Sequence, residues 1–134
     1  MKIAFATLAF LCIPAAQAAS PAELLAGYRA EAVLQSPRYK PSADGGAHLY
    51  SQRFTASGKM PSCTSCHTDN PAGPGRHAVT DKAIKPLSPV ANAERFTDPA
   101  KVEKWFRRNC TEVVGRECSA AEKADFIAFL TEGR

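Results

Sequence analysis

The five residues Cys63-Thr64-Ser65-Cys66-His67 decide what kind of protein this chain forms. A Cys-x-x-Cys-His sequence is the attachment motif of c-type haem. The two thiols add across the vinyl groups of the porphyrin to give thioethers, and the histidine that follows is the proximal ligand of the iron. The motif therefore predicts one covalently bound haem c, held by Cys63 and Cys66, with His67 as an iron ligand.

Three other kinds of site can contain two cysteines at this spacing. A thioredoxin-like redox pair needs a strand followed by a helix, and the Pro61-Ser62 segment before the motif offers no strand. A structural zinc could recruit Cys63, Cys66 and His77, but the remaining cysteines lack the two-residue spacing of zinc ligands. A disulfide between Cys63 and Cys66 would close a strained small ring. Haem attachment is the interpretation that these residues favour.

The N-terminal segment predicts export to the periplasm. Residues 1–18 contain one lysine, an apolar stretch from Ile3 to Ile13 and the small-residue sequence Ala16-Gln17-Ala18, which is typical of a cleaved signal peptide. The apolar stretch is shorter than the roughly 20 residues that span a bilayer. We therefore expect residues 1–18 to be removed and residues 19–134 to form one monohaem cytochrome domain without a membrane span.

The composition agrees with one small exported domain. The chain has 134 residues, a net charge of +4 and 22% charged residues, which argues against disorder and against a polycation that coats nucleic acid. Export places the protein in an oxidising compartment, where disulfides persist. Once Cys12 leaves with the signal peptide, Cys110 and Cys118 are the pair outside the haem motif, and a disulfide between them is the default expectation.

Capping residues and apolar spacing predict an all-α fold with long loops around one haem. Ser20 and Glu23 form a capping box that begins a helix running to about Gln35. Residues 36–46 are rich in turn formers and are predicted as a loop. Apolar residues from Leu49 onward then predict a short second helix that ends near Gly58.

Prolines and capping residues also predict the elements of the second half of the chain. Residues 68–89 contain four prolines, which excludes a long helix or a central strand. Asp98-Pro99 begins a helix that is predicted to end before Gly115. Ser119 and Glu122 form a second capping box and begin the last helix.

The sequence offers no ordinary methionine ligand for the second axial position of the iron. Many small electron-transfer cytochromes use a methionine sulfur there, but both methionines, Met1 and Met60, precede the haem motif. The sixth position is therefore expected to be empty or to take a nitrogen or oxygen donor. The candidates are His77, His48, several lysines and Asn109.

Asn109 has two interpretations at this stage. Counting from Val102, helical spacing places it on the same face as Trp105 and Phe106, where an amide would be buried and would need a polar partner. Asparagine is also a common residue at helix C-termini, where it satisfies the backbone. The pattern leaves the iron ligand and the helix cap as equal alternatives.

Several segments beyond the haem motif resemble one known family. These are Lys59 to Thr68 around the motif, residues 84–89, residues 95–98, residues 102–105, Asn109-Cys110, residues 115–118 and residues 122–125. They are similar to the corresponding segments of the group formed by the sphaeroides haem protein and cytochrome c″. The resemblance covers nearly all of residues 19–134.

The resemblance implies more than the haem motif does. It implies a class I cytochrome c fold, a Cys110–Cys118 disulfide and a sixth ligand from the residue just before that disulfide, which is Asn109 here. In this group the sixth ligand leaves the iron on reduction. Cytochrome c″ has histidine at this place, whereas the sphaeroides haem protein has asparagine, as this chain does. The resemblance thus favours Asn109 over a second histidine.

These observations together predict a periplasmic monohaem cytochrome for electron transfer. Reduction is expected to detach Asn109 and to let the haem bind O₂, NO or CO. The redox partner is expected to be another protein, such as a second c-type cytochrome. The alternative is an O₂- or NO-binding haem protein with slow terminal reductase activity. No catalytic residue is predicted for either function.

Overall fold

Helices form the framework of residues 18–132, which is the part of the chain that the computed structural model describes. The predicted signal peptide lies outside these residues, except for Ala18. The described elements, in chain order, are α1 (Pro21–Gln35), α2 (Ala43–Ser51), α3 (Thr64–His67), β1 (Gly75–Arg76), β2 (Ala83–Ile84), α4 (Pro99–Asn109), a π-helical turn (Cys110–Val114) and α5 (Ala120–Glu132). The two short strands pair antiparallel, Gly75 opposite Ile84. The predicted all-α architecture with long loops is confirmed.

The predicted helix starts are confirmed by hydrogen bonds at the caps. The Glu23 carboxylate accepts from the backbone N–H of Ser20 at 2.7 Å, and the Ser20 hydroxyl accepts from the N–H of Glu23 at 3.2 Å. Glu122 and Ser119 make the same reciprocal pair before α5. The Asp98 carboxylate caps α4 by accepting from the N–H of Lys101 at 3.0 Å. These contacts are local, so sequence spacing alone predicts them.

The second helix is shifted relative to the prediction. It begins at Ala43, inside the segment predicted as a loop, because the hydroxyl of Ser42 caps the N–H of Gly45 at 3.0 Å. It ends at Ser51 rather than near Gly58, and the N–H of Phe54 donates to the carbonyl of Pro61 at 2.6 Å. The chain after α2 therefore forms a closed loop that leads into the haem motif.

Close packing of α2 against α5 sets the shape of the core. A Cβ atom on Gly46 would overlap the backbone carbonyl of Asp125 and would lie 2.7 Å from the Cβ of Phe129. The two helices can therefore approach this closely only because residue 46 has no side chain. The hydroxyl of Tyr39 donates to the Asp125 carboxylate at 2.6 Å and fixes the preceding loop on α5.

The predicted buried stripe of α4 needs correction. Val102 and Phe106 are buried as predicted, but the stripe continues to Cys110 rather than through Trp105 and Asn109. Trp105 is 42% exposed and Asn109 is also exposed. Residues 102, 106 and 110, which are four positions apart, face the core. Residues 105 and 109 lie to one side of this buried stripe on the helix surface. The amide of Asn109 thus does not face the apolar interior.

Within residues 18–132, no helix is both long and apolar enough to cross a membrane.

Candidate haem-binding site

The haem motif folds into a single helical turn. The backbone N–H groups of Cys66 and His67 donate to the carbonyl of Cys63 at 3.2 and 3.0 Å. Ser62 is 3% exposed and stabilises the start of this turn. Its hydroxyl oxygen lies 2.6 Å from the hydroxyl oxygen of Thr64 and 3.2 Å from that of Ser65. The two cysteines and the histidine are therefore brought together within one turn of α3.

The two motif cysteines are unpaired and half-buried. Burial raises the pKa of the Cys63 thiol to about 11, and the neighbouring Cys66 acts in the same direction. A thioredoxin-like pair needs a thiol with a lowered pKa, and a zinc site needs thiolates. No cluster of three or more metal-binding side chains occurs within residues 18–132. Burial therefore keeps the free Cys63 thiol in its neutral form.

Strand β1 lies against the backbone of this turn. Gly75 is buried, and a Cβ atom at this position would collide with the carbonyl oxygen of Cys66 and lie 3.2 Å from the Cα of His67. The N–H of Ala78 donates to the sulfur of Cys66 at 3.3 Å. The segment after the motif thus supports the attachment turn through its backbone.

The His67 imidazole is held in its neutral form. Burial lowers the pKa of His67 to about 4, and the positive charge of Arg95 adds to this effect. The neutral imidazole is the form that binds iron. Neither ring nitrogen makes a hydrogen bond to another group within residues 18–132.

The two other histidines have different surroundings. The Nδ1 atom of His77 accepts from the N–H groups of Val79 and Thr80, both at 3.2 Å. This holds His77 in the turn whose next residue, Ala78, contacts the sulfur of Cys66. His48 is exposed on α2. His77 therefore lies beside the attachment turn, where it already has a structural role.

Asn109 is the last residue of α4, but its side chain does not cap the helix. Its φ and ψ of −71° and −38° are helical, and the chain continues into the π-helical turn before Gly115 ends it in the left-handed conformation, with φ 86°. The Asn109 side chain makes no cap hydrogen bond, and none to any other described group.

The predicted disulfide is present immediately after Asn109. The sulfur atoms of Cys110 and Cys118 are bonded at 2.00 Å, and both residues belong to the hydrophobic core cluster. Cys63 packs against the same cluster. The haem motif and the segment that carries Asn109 are therefore fixed on one core, and the π-helical turn lies inside the disulfide loop. Such turns occur frequently at functional sites.

Comparison with known proteins identifies the family. Residues 37–130 match the family model described as a domain of unknown function, DUF1924. Cytochrome c″ of Methylophilus methylotrophus is 47% identical over 97 residues, which cover 71% of this chain and 67% of the relative. The cytochrome c-type protein SHP of Cereibacter sphaeroides is 43% identical over 111 residues, 83% of this chain and 82% of the relative. The chain belongs to the cytochrome c″ and SHP family.

Solved structures of this family have the same fold. Oxidised SHP, described as an oxygen-binding cytochrome c, superposes with a TM-score of 0.77 at 43% identity, over 84% of this chain and 96% of SHP. Oxidised cytochrome c″ of Methylophilus methylotrophus superposes with a TM-score of 0.78 at 42% identity, over 85% and 94%. The predicted cytochrome fold and haem c are thereby confirmed, and this member of the cytochrome c″ and SHP family is a c-type haem protein.

Two residues that position the site, Gly75 and Tyr50, have no role that the sequence pattern assigns. Each acts through a contact to a distant segment, which spacing cannot reveal. The one signal in the sequence is a glycine within a proline-rich loop, because a glycine often marks a position where another backbone segment approaches closely.

Tyr50 links the core to the attachment turn of this cytochrome. The side chain is 3% exposed, and its hydroxyl donates to the carbonyls of Thr68 and His67, at 2.6 and 3.1 Å. The ring packs against Phe129 with centroids 5.4 Å apart. Burial raises the pKa of the Tyr50 hydroxyl, so it remains a donor. Tyr50 is therefore a positioning residue for His67.

Replacing Tyr50 with phenylalanine is expected to keep the fold and to alter the environment of the haem. The free energy of unfolding should fall by about 1–3 kcal/mol, because the carbonyls of His67 and Thr68 lose the hydroxyl that donates to them in these part-buried contacts. The iron–histidine stretching band of the reduced protein should also shift. Tyr39→Phe is the matched control, since its hydroxyl binds Asp125 on α5. If both variants leave the band unchanged, Tyr50 only stabilises the core.

Proposed function

We propose that this cytochrome is a periplasmic electron-transfer protein whose sixth iron ligand, Asn109, detaches on reduction and lets the haem bind diatomic gases. Cys63 and Cys66 attach the haem, and His67 is the proximal ligand. Residues 1–18 are the signal peptide, and the redox partner is another protein, such as a c-type cytochrome. When bound, the haem supplies one-electron chemistry and a coordination position for a small gas.

The carrying observation is the state of the Asn109 amide. It lies directly before a disulfide, it caps no helix and it makes no hydrogen bond within residues 18–132. The disulfide fixes the backbone next to Asn109, and no group of the described chain bonds to its amide. This amide is therefore suited to bind a group from outside the chain. The proximity of Cys63 and Cys110 to one hydrophobic cluster supports the iron as that partner.

The donor chemistry supports detachment on reduction. An amide oxygen is a hard and weak donor, which suits ferric iron better than the softer ferrous ion. The amide also does not titrate near neutral pH, so its release takes up no proton. Because the amide takes up no proton, detachment of Asn109 needs no acid–base chemistry. The segment that follows Asn109 is a π-helical turn ended by Gly115 and not a regular α-helix.

The relatives support the same proposal. SHP is described as an oxygen-binding cytochrome c. A solution structure of cytochrome c″, which superposes on this chain with a TM-score of 0.71, is described in terms of haem-ligand detachment. The alternative function, slow terminal reduction of O₂ or nitrogen oxides, needs the same open coordination position.

Absorption spectra of the purified holoprotein test this proposal. We expect six-coordinate iron in the oxidised protein, five-coordinate iron in the reduced protein, and rapid binding of CO to the reduced protein only. His77→Ala should leave the number of iron ligands in all three states unchanged, because the Nδ1 atom of His77 accepts hydrogen bonds from Val79 and Thr80 in its own turn. A reduced protein that stays six-coordinate and does not bind CO would exclude gas binding and leave plain electron transfer. Turnover of reductant with O₂ would distinguish the reductase alternative.

A further inference from the structure

The carboxylate of Glu103 joins α4 to two other helices. Its Oε1 atom accepts from the ammonium group of Lys123 on α5 at 2.7 Å, and its Oε2 atom accepts from the hydroxyl of Tyr28 on α1 at 2.8 Å. The two oxygens of one side chain therefore bind residues of two different helices. We call the three residues Tyr28, Glu103 and Lys123 the α4 clamp.

The ammonium group of the α4 clamp is enclosed by aromatic rings. The Lys123 side chain is 13% exposed, and its nitrogen lies 5.3 Å from the ring centre of Tyr28 and 5.9 Å from that of Phe106. An enclosed cation needs an anion close to it, and Glu103 supplies that anion. Desolvation raises the pKa of Glu103, but its hydrogen bonds to Lys123 and Tyr28 outweigh this effect and leave the pKa below its usual value. The carboxylate therefore stays ionised at neutral pH, and the clamp stays closed.

Glu103 and Asn109 lie on opposite sides of the buried stripe of α4. Because an α-helix turns by about 100° per residue, Glu103 lies about 60° to one side of Phe106 and Asn109 lies about 60° to the other side. Phe106 is the middle residue of the stripe. The α4 clamp therefore holds one side of the helix against α1 and α5 and leaves the side with Asn109 exposed.

The hydrogen bonds of the α4 clamp define the rotation of α4 about its own axis. The ring of Phe106 meets the rings of Tyr28 and Phe126 with centroids 5.7 and 5.8 Å apart, and such apolar contacts change little when a helix rotates by a small angle. Hydrogen bonds to a carboxylate weaken steeply with angle. The helix rises by only about 9 Å from Glu103 to Asn109. A rotation fixed at Glu103 is therefore carried to Asn109.

We propose that the α4 clamp sets the rotation of α4 and thereby orients the Asn109 amide toward the iron of the oxidised protein. This inference rests on the proposed function, in which Asn109 is the sixth ligand. An amide is a weak donor, and a binding group has to be held within about 0.5 Å and 10–20° of its productive geometry. The three residues of the clamp are thus positioning residues that act through Asn109.

Cyanide binding to the ferric holoprotein tests the proposal. In Glu103→Gln, cyanide should bind about threefold faster or more, because the amide spends a larger fraction of the time off the iron. Tyr28→Phe keeps its ring and loses one hydrogen bond of the clamp, so its rate should lie between those of the wild type and Glu103→Gln. Tyr39→Phe is the matched control, since it also removes a hydroxyl that donates to a carboxylate, that of Asp125. Glu31→Gln removes an exposed carboxylate of α1, and both controls should bind cyanide at the wild-type rate.

The same substitution in an Asn109→Ala protein separates positioning from a general loosening of the fold. If the α4 clamp acts through Asn109, adding Glu103→Gln to Asn109→Ala should leave the cyanide rate unchanged, because coupled residues are not additive. A lower melting temperature with an unchanged cyanide rate in both backgrounds would mean that the clamp only stabilises the fold. Equal acceleration in both backgrounds would mean that it acts on the site by another route. Either result overturns the inference.

The outcomes also separate this inference from the proposed function. If Asn109→Ala by itself leaves the ferric spectrum and the cyanide rate unchanged, the proposed function fails. If Asn109→Ala accelerates cyanide binding and Glu103→Gln does not, only the inference on the α4 clamp is overturned. Should Glu103→Gln not fold, Tyr28→Phe makes the same comparison, because the ring contacts of Tyr28 with Phe106 and Lys123 are kept.

Discussion

Asn109→Ala is expected to change the oxidised protein and to leave the reduced protein almost unchanged. In the oxidised state the amide is the proposed sixth ligand, so its removal should alter the ferric absorption spectrum. Cyanide should bind the ferric variant about tenfold faster or more, because no internal ligand must first leave. In the reduced state the amide has already left, so the CO affinity should stay within about twofold of the wild type.

Stopped-flow mixing with cyanide and CO titration measure both halves of this result. His48→Ala and His77→Ala are the controls, since either histidine would give the same ferric response if it were the ligand. An Asn109→Ala protein with an unchanged ferric spectrum and cyanide rate would show that Asn109 does not bind the iron. A large change in CO affinity would show that the amide remains bound in the ferrous protein.

Gly75→Ala is expected to prevent haem attachment in most molecules. The new Cβ would overlap the carbonyl of Cys66 and lie 3.2 Å from the Cα of His67, and both are backbone atoms that cannot rotate away. Strand β1 cannot shift freely either, because Gly75 pairs with Ile84. The attachment turn must therefore move, which misplaces the two thiols relative to the vinyl groups. The yield of protein with covalent haem should fall at least about fivefold, given overpacking costs of about 1–3 kcal/mol or more.

Haem staining after denaturing electrophoresis measures this yield directly. Gly58→Ala is the matched control, since a Cβ there meets no atom within 4 Å, and its yield should equal that of the wild type. Gly73→Ala tests an intermediate case, with the nearest atom, the carbonyl oxygen of Asn70, at 3.3 Å. Normal haem attachment in Gly75→Ala would mean that the turn tolerates displacement and that the close approach has no functional role.

The two predictions concern opposite kinds of residue. Asn109 is identified by a polar side chain that lies next to a disulfide and has no hydrogen-bond partner in the described chain. Gly75 is identified by the absence of space for a Cβ atom at residue 75. Together with Tyr50, they indicate that the site depends on the backbone around α3 as well as on the residues proposed to bind the haem.

The sequence by itself determined the features that depend on neighbouring residues. The Cys63-to-His67 motif gave the haem, and the caps at Ser20, Asp98 and Ser119 gave the helix starts, because these interactions join residues three or four positions apart. The disulfide follows from counting the cysteines outside the haem motif and the predicted signal peptide, and the family from short segments along the chain.

The tertiary structure decided the features that depend on distant segments. Spacing placed the Asn109 side chain either on the buried face of α4 or as a cap at the C-terminus of that helix. The structure leaves this side chain exposed and without a cap hydrogen bond, because the core follows Val102, Phe106 and Cys110 and the chain continues from α4 into a π-helical turn. The roles of Tyr50 and Gly75 come from contacts with backbone atoms of another element. Burial and close approach are properties of the packed chain, and helical periodicity fixes only the angle around a helix, not which angle faces the core.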